Sequence, residues 1–236
     1  MPTRTDIEDA KEVTAGAAQG APVPPPVPAP ERLSTWQSIA LMFKSWRLAS
    51  VALQSFASGL PLGLVWIAIP TWMTEAGVDI KVVGLFTLAQ APWSFKFLWS
   101  PLMDRFPPPL FGRKRGWIFL SQLALLGFGL WLGFVSDRPE AVGVIGALAL
   151  AIGLAAATQD IAIDAYAVEV LRKEEQGAAV GARTAIYRAA MFLSGALAIT
   201  LAAKWSWQWV NIVLALAYLP MLLVTWRSPE PESLPP

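Results

Sequence analysis

Long hydrophobic runs separated by short polar segments make up most of this chain. A run of about 20 apolar residues crosses a bilayer as an α-helix, and six segments meet that criterion. They lie at residues 48–73, 82–103, 117–136, 141–163, 179–203 and 206–226. The pattern therefore predicts an all-α integral membrane bundle of six helices within residues 35–227.

Proline and glycine positions modify several of these spans. Pro61 lies inside the first span, where a proline frees a backbone carbonyl and lets the helix bend. The pairs Gly129 and Gly133, and Gly177 and Gly181, have a four-residue spacing. Because that spacing lets two helices approach closely, we expect both pairs to be sites of helix packing.

Basic residues cluster on one side of the predicted membrane. That side holds Lys44, Arg47, Arg105, Arg113, Lys114, Arg115, Arg172 and Lys173. The opposite side holds Lys81, Arg138 and Lys204. By the positive-inside rule, both termini are predicted to be cytoplasmic, which agrees with an even number of spans.

The two ends of the chain lack the hydrophobic pattern. Residues 1–34 carry mixed charges and a proline-rich run at 21–30. Such a composition cannot build a core, so we expect a disordered cytoplasmic tail. It also lacks the basic start and apolar centre of a signal peptide. Residues 228–236 are again proline-rich and form a second short tail.

The composition excludes several classes of function. Of the 236 residues 55% are hydrophobic and 15% are charged, and the net charge of +1 gives no basic bias towards nucleic acid. The chain contains neither Cys nor His. Disulfides, thiolate metal sites and the commonest general base are therefore absent, and we expect neither a metal nor another cofactor.

Two carboxylates at the end of the fourth span are the main candidates for chemistry. Asp160 and Asp164 are four residues apart, so on a helix they share one face. A carboxylate in a span is unfavourable unless it meets water or a partner inside the bundle. The two acids are candidates for proton coupling, and static ion pairing is the alternative that the sequence leaves open.

Three cations in apolar surroundings are possible partners. Lys96 interrupts the second span, and Arg183 and Arg188 lie in the fifth. Lys96 and Arg188 are deep enough to pair with the acids or to bind an anionic substrate. Arg183 is about 140° from Arg188 around the helix, so we expect only one of the two at the site and place Arg183 at the periphery.

The loop after the second span contains Asp104 and Arg105, followed by Gly112 and Arg113. This order resembles the loop signature of the major facilitator superfamily, although Ser100 stands where that family usually has Gly and residues 107–111 form an insertion. In that family the acid contacts a helix N-terminus in the other half of the transporter. The resemblance implies that these residues form a conformational latch.

Several short motifs resemble those of AmpG-type muropeptide permeases, and together they cover about residues 48 to 230. These motifs lie at residues 56–62, 75–79, 84–86, 96–105, 111–117, 157–165 and 187–188. The resemblance implies proton-driven import of N-acetylglucosaminyl-anhydromuramyl peptides across the bacterial inner membrane, for peptidoglycan recycling. Gln159 lies in the motif at residues 157–165 and is a third candidate for substrate binding, with Lys96 and Arg188.

Members of that family have two six-helix halves, with the substrate cavity between them. The expected fold is therefore the N-terminal half of a major facilitator transporter, with residues 228–236 beginning the central loop. As a half-length carrier, the chain would need a second half or a homodimer.

Two further transporter readings stay open, an acetyl-coenzyme A permease-like protein and an inactive or partner-dependent half-transporter. An intramembrane aspartyl hydrolase is disfavoured because such enzymes place the two acids on separate helices. We expect a protein that is not an enzyme.

Overall fold

The computed structural model describes residues 34–109, 112–138 and 141–229, and these residues contain helices and no β-strand. The predicted tail 1–34 lies outside the described residues except for Ser34, and of the tail 228–236 only residues 228 and 229 are described. The α-helices are α1 (Thr35–Met42), α2 (Trp46–Gly63), α3 (Ile69–Glu75), α4 (Ile80–Leu85), α5 (Ala91–Phe95), α6 (Ser100–Arg105), α7 (Arg113–Val135), α8 (Val142–Val170), α9 (Lys173–Phe192), α10 (Ala198–Ala202), α11 (Trp207–Leu216) and α12 (Tyr218–Arg227).

Five continuous helical stretches are long and apolar enough to cross a membrane. They are Trp46–Glu75, Arg113–Val135, Val142–Val170, Glu175–Ala202 and Trp207–Arg227. Two of them contain a π-helical turn, Leu64–Ala68 between α2 and α3 and Leu193–Leu197 between α9 and α10. The first of these turns follows Pro61, where the sequence predicts a bend. The predicted all-α membrane fold is confirmed.

Residues 80–105, which we call the broken segment, cover the predicted second span with short helical pieces. The α-helices α4, α5 and α6 alternate here with 3₁₀ turns at Phe86–Gln90 and Lys96–Leu98. Pro92 and Pro101 each stand in the first turn of a new helix, because proline fits a helix start but not a helix interior. A single long helix is not formed, and the span at 82–103 stays a prediction.

The spans pack closely where glycine replaces a side chain. A Cβ on Gly59 or Gly63 of α2 would overlap backbone oxygens of Tyr187 and Met191 on α9. Gly129 and Gly133 of α7 lie against Ala215 and Ile212 of α11, as their spacing predicts.

The other predicted pair does not pack in this way. Gly177 and Gly181 of α9 face open space, so the prediction of a packing site there is wrong within the described chain. Four-residue spacing alone does not say which side of a helix meets a neighbour.

Three buried polar side chains join α2, α7 and α12. Gln54 Nε2 donates to Thr225 Oγ1 at 2.6 Å, and Gln122 Nε2 donates to Gln54 Oε1 at 2.7 Å. The Thr225 hydroxyl lies 2.7 Å from Gln122 Oε1, which closes a ring of contacts. All three residues are fully buried. In a bilayer such polar groups need protein partners, so the triad fixes these helices in one register.

The contrast between Gly59 and Gly181 gives a test of the helix packing. Gly59→Ala forces a methyl group into the α9 backbone, and we expect a loss of about 1–3 kcal/mol of stability from overpacking. Gly181→Ala adds a methyl group in open space and removes a flexible glycine, so we expect no loss and a gain of up to about 1 kcal/mol. The measurement is the thermal unfolding midpoint of each variant in detergent. Equal midpoints would contradict the close contact of α2 and α9.

Candidate functional site

Lys96 lies between the two carboxylates that the sequence singles out. Its Nζ is 3.7 Å from Asp160 Oδ2 and 3.8 Å from Asp164 Oδ2. The predicted shared face of the two acids is therefore realised on α8, and the broken segment delivers the cation to it. Asp160 is the more buried acid, with 13% of its side chain exposed against 61% for Asp164.

Arg183 on α9 is the second cation of this cluster. Its guanidinium NH2 group is 2.8 Å from Asp164 Oδ1, and its Nε donates to Ser55 Oγ at 3.0 Å. The sequence prediction that Arg183 is peripheral is thus wrong. The close contact of α2 with α9 at Gly59 brings the Arg183 side chain within reach of both Ser55 and Asp164.

Serine hydroxyls of α2 complete the polar contacts. Ser58 Oγ donates a hydrogen bond to Asp160 Oδ1, and Ser55 accepts from Arg183. Ser55 and Ser58 are three residues apart and share one helix face. The cluster therefore joins α2, the broken segment, α8 and α9. Neither serine is among the site residues predicted from the sequence, although two hydroxyls at this spacing in an apolar helix indicate a polar face.

An open pocket of about 850 Å³ lies beside this cluster. Its wall is formed by α2, α8 and α9, through Ser55, Ser58, Asp160, Ile163, Asp164, Val180, Arg183, Thr184, Tyr187, Arg188, Met191 and Phe192. Pockets of roughly 300–1,000 Å³ are typical of sites for small molecules. The pocket thus combines a size suited to a ligand with an exposed carboxylate and guanidinium groups.

Arg188 lines the pocket but makes no ion pair or hydrogen bond within the described part of the chain. Pairing of Arg188 with Asp160 or Asp164, one of the two alternatives that the sequence leaves open, does not occur among the described residues, where Arg183 and Lys96 hold these acids. Both arginines nevertheless face one pocket, since their long side chains reach further around α9 than the positions of their Cα atoms imply.

Gln159 is not brought to the pocket, although the sequence singles it out as a candidate for substrate binding. It is fully buried, it does not line the pocket, and neither its Oε1 nor its Nε2 has a hydrogen-bond partner among the described residues. One residue along a helix turns the side chain by about 100°. Asp160 therefore faces the polar cluster while Gln159 faces the packed interior.

The predicted latch residues form a local charge cluster at the end of the broken segment. Asp104 Oδ1 lies 2.6 Å from Lys114 Nζ and 3.8 Å from Arg113 NH2. Gly112 has φ of 82° at the start of α7, a conformation that favours glycine. Arg105 lies over the ring of Phe106 at 5.8 Å. Their role as a latch stays a prediction.

A second cavity of about 560 Å³ separates the latch residues from the polar cluster. It is lined by Lys96, Phe97, Ser100, Pro101, Asp104, Ile161, Asp164 and Ala165. Asp164 therefore borders both cavities. Within residues 34–109, 112–138 and 141–229, no group of three or more metal-ligating side chains comes together.

The charges of the cluster leave a cation in excess. Two carboxylates, Asp160 and Asp164, are paired with Lys96 and Arg183 in the described chain. Arg188 adds a third positive group to the pocket wall. Because guanidinium groups bind carboxylates and phosphates through charge-assisted hydrogen bonds, the arrangement suits an anionic ligand.

Comparison with known proteins shows which family this chain resembles. The chain is 41% identical over 191 residues to the anhydromuropeptide permease of Escherichia coli strain K12, which covers 80% of this chain and 39% of that protein. It is 37% identical over 182 residues to an uncharacterized protein of Haemophilus influenzae, covering 77% and 43%. It is 30% identical over 201 residues to a putative transporter of Rickettsia felis, AmpG 4, covering 81% and 48%.

These matches confirm the resemblance to AmpG-type permeases that the sequence motifs indicate. The chain spans less than half the length of each of these relatives. A sequence model described as Major Facilitator Superfamily matches residues 51–236, which include the five apolar spans except for the first residues of one. The protein is a multi-pass membrane protein, and the chain belongs to the Major Facilitator Superfamily.

Proposed function

We propose that this chain forms the N-terminal half of a proton-driven importer of anhydro-muropeptides. The observation that carries the proposal is the pocket beside Asp164, in which Arg188 is a cation without a protein partner among the described residues. Anhydro-muropeptides carry peptide carboxylates, which such a cation would bind. The similarity to a permease named for this substrate supports the same assignment.

Proton coupling follows from the accessibility of the two acids. Asp164 is exposed to the pocket, whereas Asp160 is largely buried against Lys96 and Ser58. When Asp164 takes up a proton, Arg183 loses its anionic partner, while Lys96 keeps Asp160. Arg183 then becomes available to a carboxylate of the substrate, so proton uptake and substrate binding favour each other.

The open side of the pocket requires a second unit. Val180 and Phe192 border the pocket and are 62% and 63% exposed. A second six-helix half, from a longer carrier or from another copy of the chain, would cover this side and complete the cavity. In this proposal both termini face the cytoplasm of a bacterial inner membrane, and Asp104 with Arg105, Gly112 and Arg113 forms the latch to the second half.

Uptake in cells tests the proposed function directly. Where a second copy of the chain supplies the missing half, permease-deleted bacteria that express this chain should accumulate radiolabelled anhydro-muropeptide above the empty-vector level, and a proton uncoupler should abolish the accumulation. Binding of the same substrate to purified chain is measured in parallel, because a half that waits for its partner would still offer the pocket. The proposal would be contradicted if well-inserted protein gave no uptake and also bound no substrate.

Arg188 should provide substrate affinity rather than stability. We expect Arg188→Gln to weaken muropeptide binding roughly 10- to 100-fold, the loss of about 1.5–3 kcal/mol expected for a hydrogen bond to a charged group. The matched variant Arg188→Lys keeps the charge and should retain much of the affinity. Unchanged binding by Arg188→Gln would remove this residue from the site. Thermal unfolding should stay unchanged in both variants, since Arg188 has no partner within the described chain.

The negative charge of Asp164 should limit substrate binding. Asp164→Asn removes the carboxylate that holds the Arg183 guanidinium at 2.8 Å, so we expect this variant to bind muropeptide more tightly than the native chain. Asp137→Asn, in an exposed turn outside the cluster, is the control and should behave as the native chain. Equal affinity of Asp164→Asn and the native chain would contradict a competition between Asp164 and the substrate for Arg183.

Gln159 offers a test of the buried position that the structure gives it. Because its amide is buried without a partner in the part of the chain that the structure describes, Gln159→Leu should leave muropeptide affinity within about twofold and should raise the free energy of unfolding by up to about 1–3 kcal/mol, the penalty of an unpaired buried polar group. Both quantities are measured on the same purified sample. A large loss of affinity at unchanged stability would place the Gln159 amide in contact with substrate after all.

A further inference from the structure

The short helix α1 carries an exposed apolar stripe that the transport site does not use. Trp36 is 81% exposed, Phe43 is 58% exposed, and Ala40 between them is also exposed. These residues are four and three positions apart, so they follow one line along the helix and the turn after it. Trp36 is the most exposed large hydrophobic side chain in the described part of the chain, and an exposed apolar patch of this kind marks a surface that contacts lipid or protein.

A second side of α1 is already occupied by the bundle. Met42 is buried, and Ile39 packs against the same cluster of buried residues that contains Ala179 and Ala182 of α9. On a helical wheel this packed side lies roughly a quarter turn from the line through Trp36 and Phe43. A helix with one side on the bundle and a second side a quarter turn away has the geometry of a helix lying flat on a membrane beside a transmembrane bundle.

The chain connection keeps α1 near the membrane surface. α1 ends at Met42, and the first span begins at Trp46. Three linking residues extend at most about 10 Å, which is comparable to the polar layer on one side of a bilayer. The exposed stripe of α1 therefore lies within reach of lipid without any rearrangement of the first span.

Charge and aromatic content match this position. Lys44 is exposed and has no ion-pair or hydrogen-bond partner in the described chain, whereas the nearby Arg47 is held by Glu175 at 2.7 Å. Trp46 is 47% exposed and donates through Nε1 to the carbonyl of Arg227 at 2.8 Å. Tryptophan favours the layer between water and hydrocarbon, and lysine there meets lipid phosphates.

We propose that α1 is an interfacial helix that binds the headgroup layer of an anionic bilayer. Trp36 and Phe43 enter the lipid, and the ammonium group of Lys44 binds a lipid phosphate. Because α1 also packs on α9, which carries Arg183 and Arg188, the lipid contact holds the helix that forms one wall of the pocket. This inference does not depend on the substrate of the transporter.

Depth-dependent fluorescence quenching tests the proposal. The chain contains no Cys, so Ala40→Cys gives a single labelling site between the two aromatic residues. The full chain, labelled with a nitrobenzoxadiazole dye, is reconstituted in phosphatidylcholine and phosphatidylglycerol vesicles. Lipid spin-labelled near the headgroup should quench the dye strongly, lipid spin-labelled near the chain end should quench it less, and aqueous iodide should quench it little.

Matched variants separate lipid contact from other coverings. The Asp137→Cys variant, labelled in an exposed turn, is the aqueous control and should be quenched by iodide. Adding Trp36→Ser and Phe43→Ser to Ala40→Cys should move the dye towards water. In the Ala40→Cys variant, spin-labelled phosphatidylglycerol should quench the dye more strongly than spin-labelled phosphatidylcholine, and adding Lys44→Glu should remove this difference. A single symmetric peak in size-exclusion chromatography establishes that each variant folds.

Two results would overturn the proposal. The first is iodide quenching of the Ala40→Cys variant equal to that of the control, which would place α1 in water. The second is protection from iodide without quenching by any spin-labelled lipid, which would mean that protein covers the stripe.

Discussion

The contact of Lys96 with Asp160 and Asp164 is the constraint on which the rest of the bundle depends. A carboxylate inside a bilayer is unfavourable unless a cation or water meets it, and here one ammonium group serves two acids. The broken segment must therefore lie directly against α8. Gly153 allows this approach, because a Cβ there would overlap the carbonyl oxygen of Ala89. The cluster and the helix packing thus explain each other.

The same requirement accounts for the contact between α2 and α9. Asp164 shares Lys96 with Asp160 at 3.8 Å, and Arg183 supplies a second and closer partner at 2.8 Å. Arg183 can do so only because Gly59 and Gly63 allow α9 to approach the backbone of α2 closely. Small residues at helix contacts and charged residues at the site are therefore parts of one arrangement, since close backbones bring long side chains within reach of each other.

The sequence predicts most of the fold and part of the site. Span positions depend on local hydrophobicity, so they can be located from the chain alone. The shared face of Asp160 and Asp164 depends only on helix periodicity and was predicted for the same reason. The broken segment is not predicted from the sequence. Its prolines favour the start of a new helix, but whether a long apolar helix breaks at them depends also on the packing of neighbouring helices.

The sequence alone does not predict which cation pairs with which carboxylate. Arg183 and Arg188 lie on the same helix, and it is Arg183 that contacts both Asp164 of α8 and Ser55 of α2. Gln159 shows the complementary difficulty, because a neighbour of a functional acid can point into the packed interior. The triad of Gln54, Gln122 and Thr225 was missed, although amide side chains in charge-free spans are a signal of interhelical hydrogen bonds.

The excess cation of the pocket has a structural consequence of its own. Arg188 is exposed on the side of α9 that borders Phe192 and Val180. Lipid cannot cover a guanidinium group at that depth without a large loss of solvation free energy, while water or an anion can. Water reaches a group between membrane spans only if other protein keeps lipid away. The pocket wall is therefore suited to face a second helical unit across an aqueous cavity, and a carboxylate bound there would replace the water around Arg188.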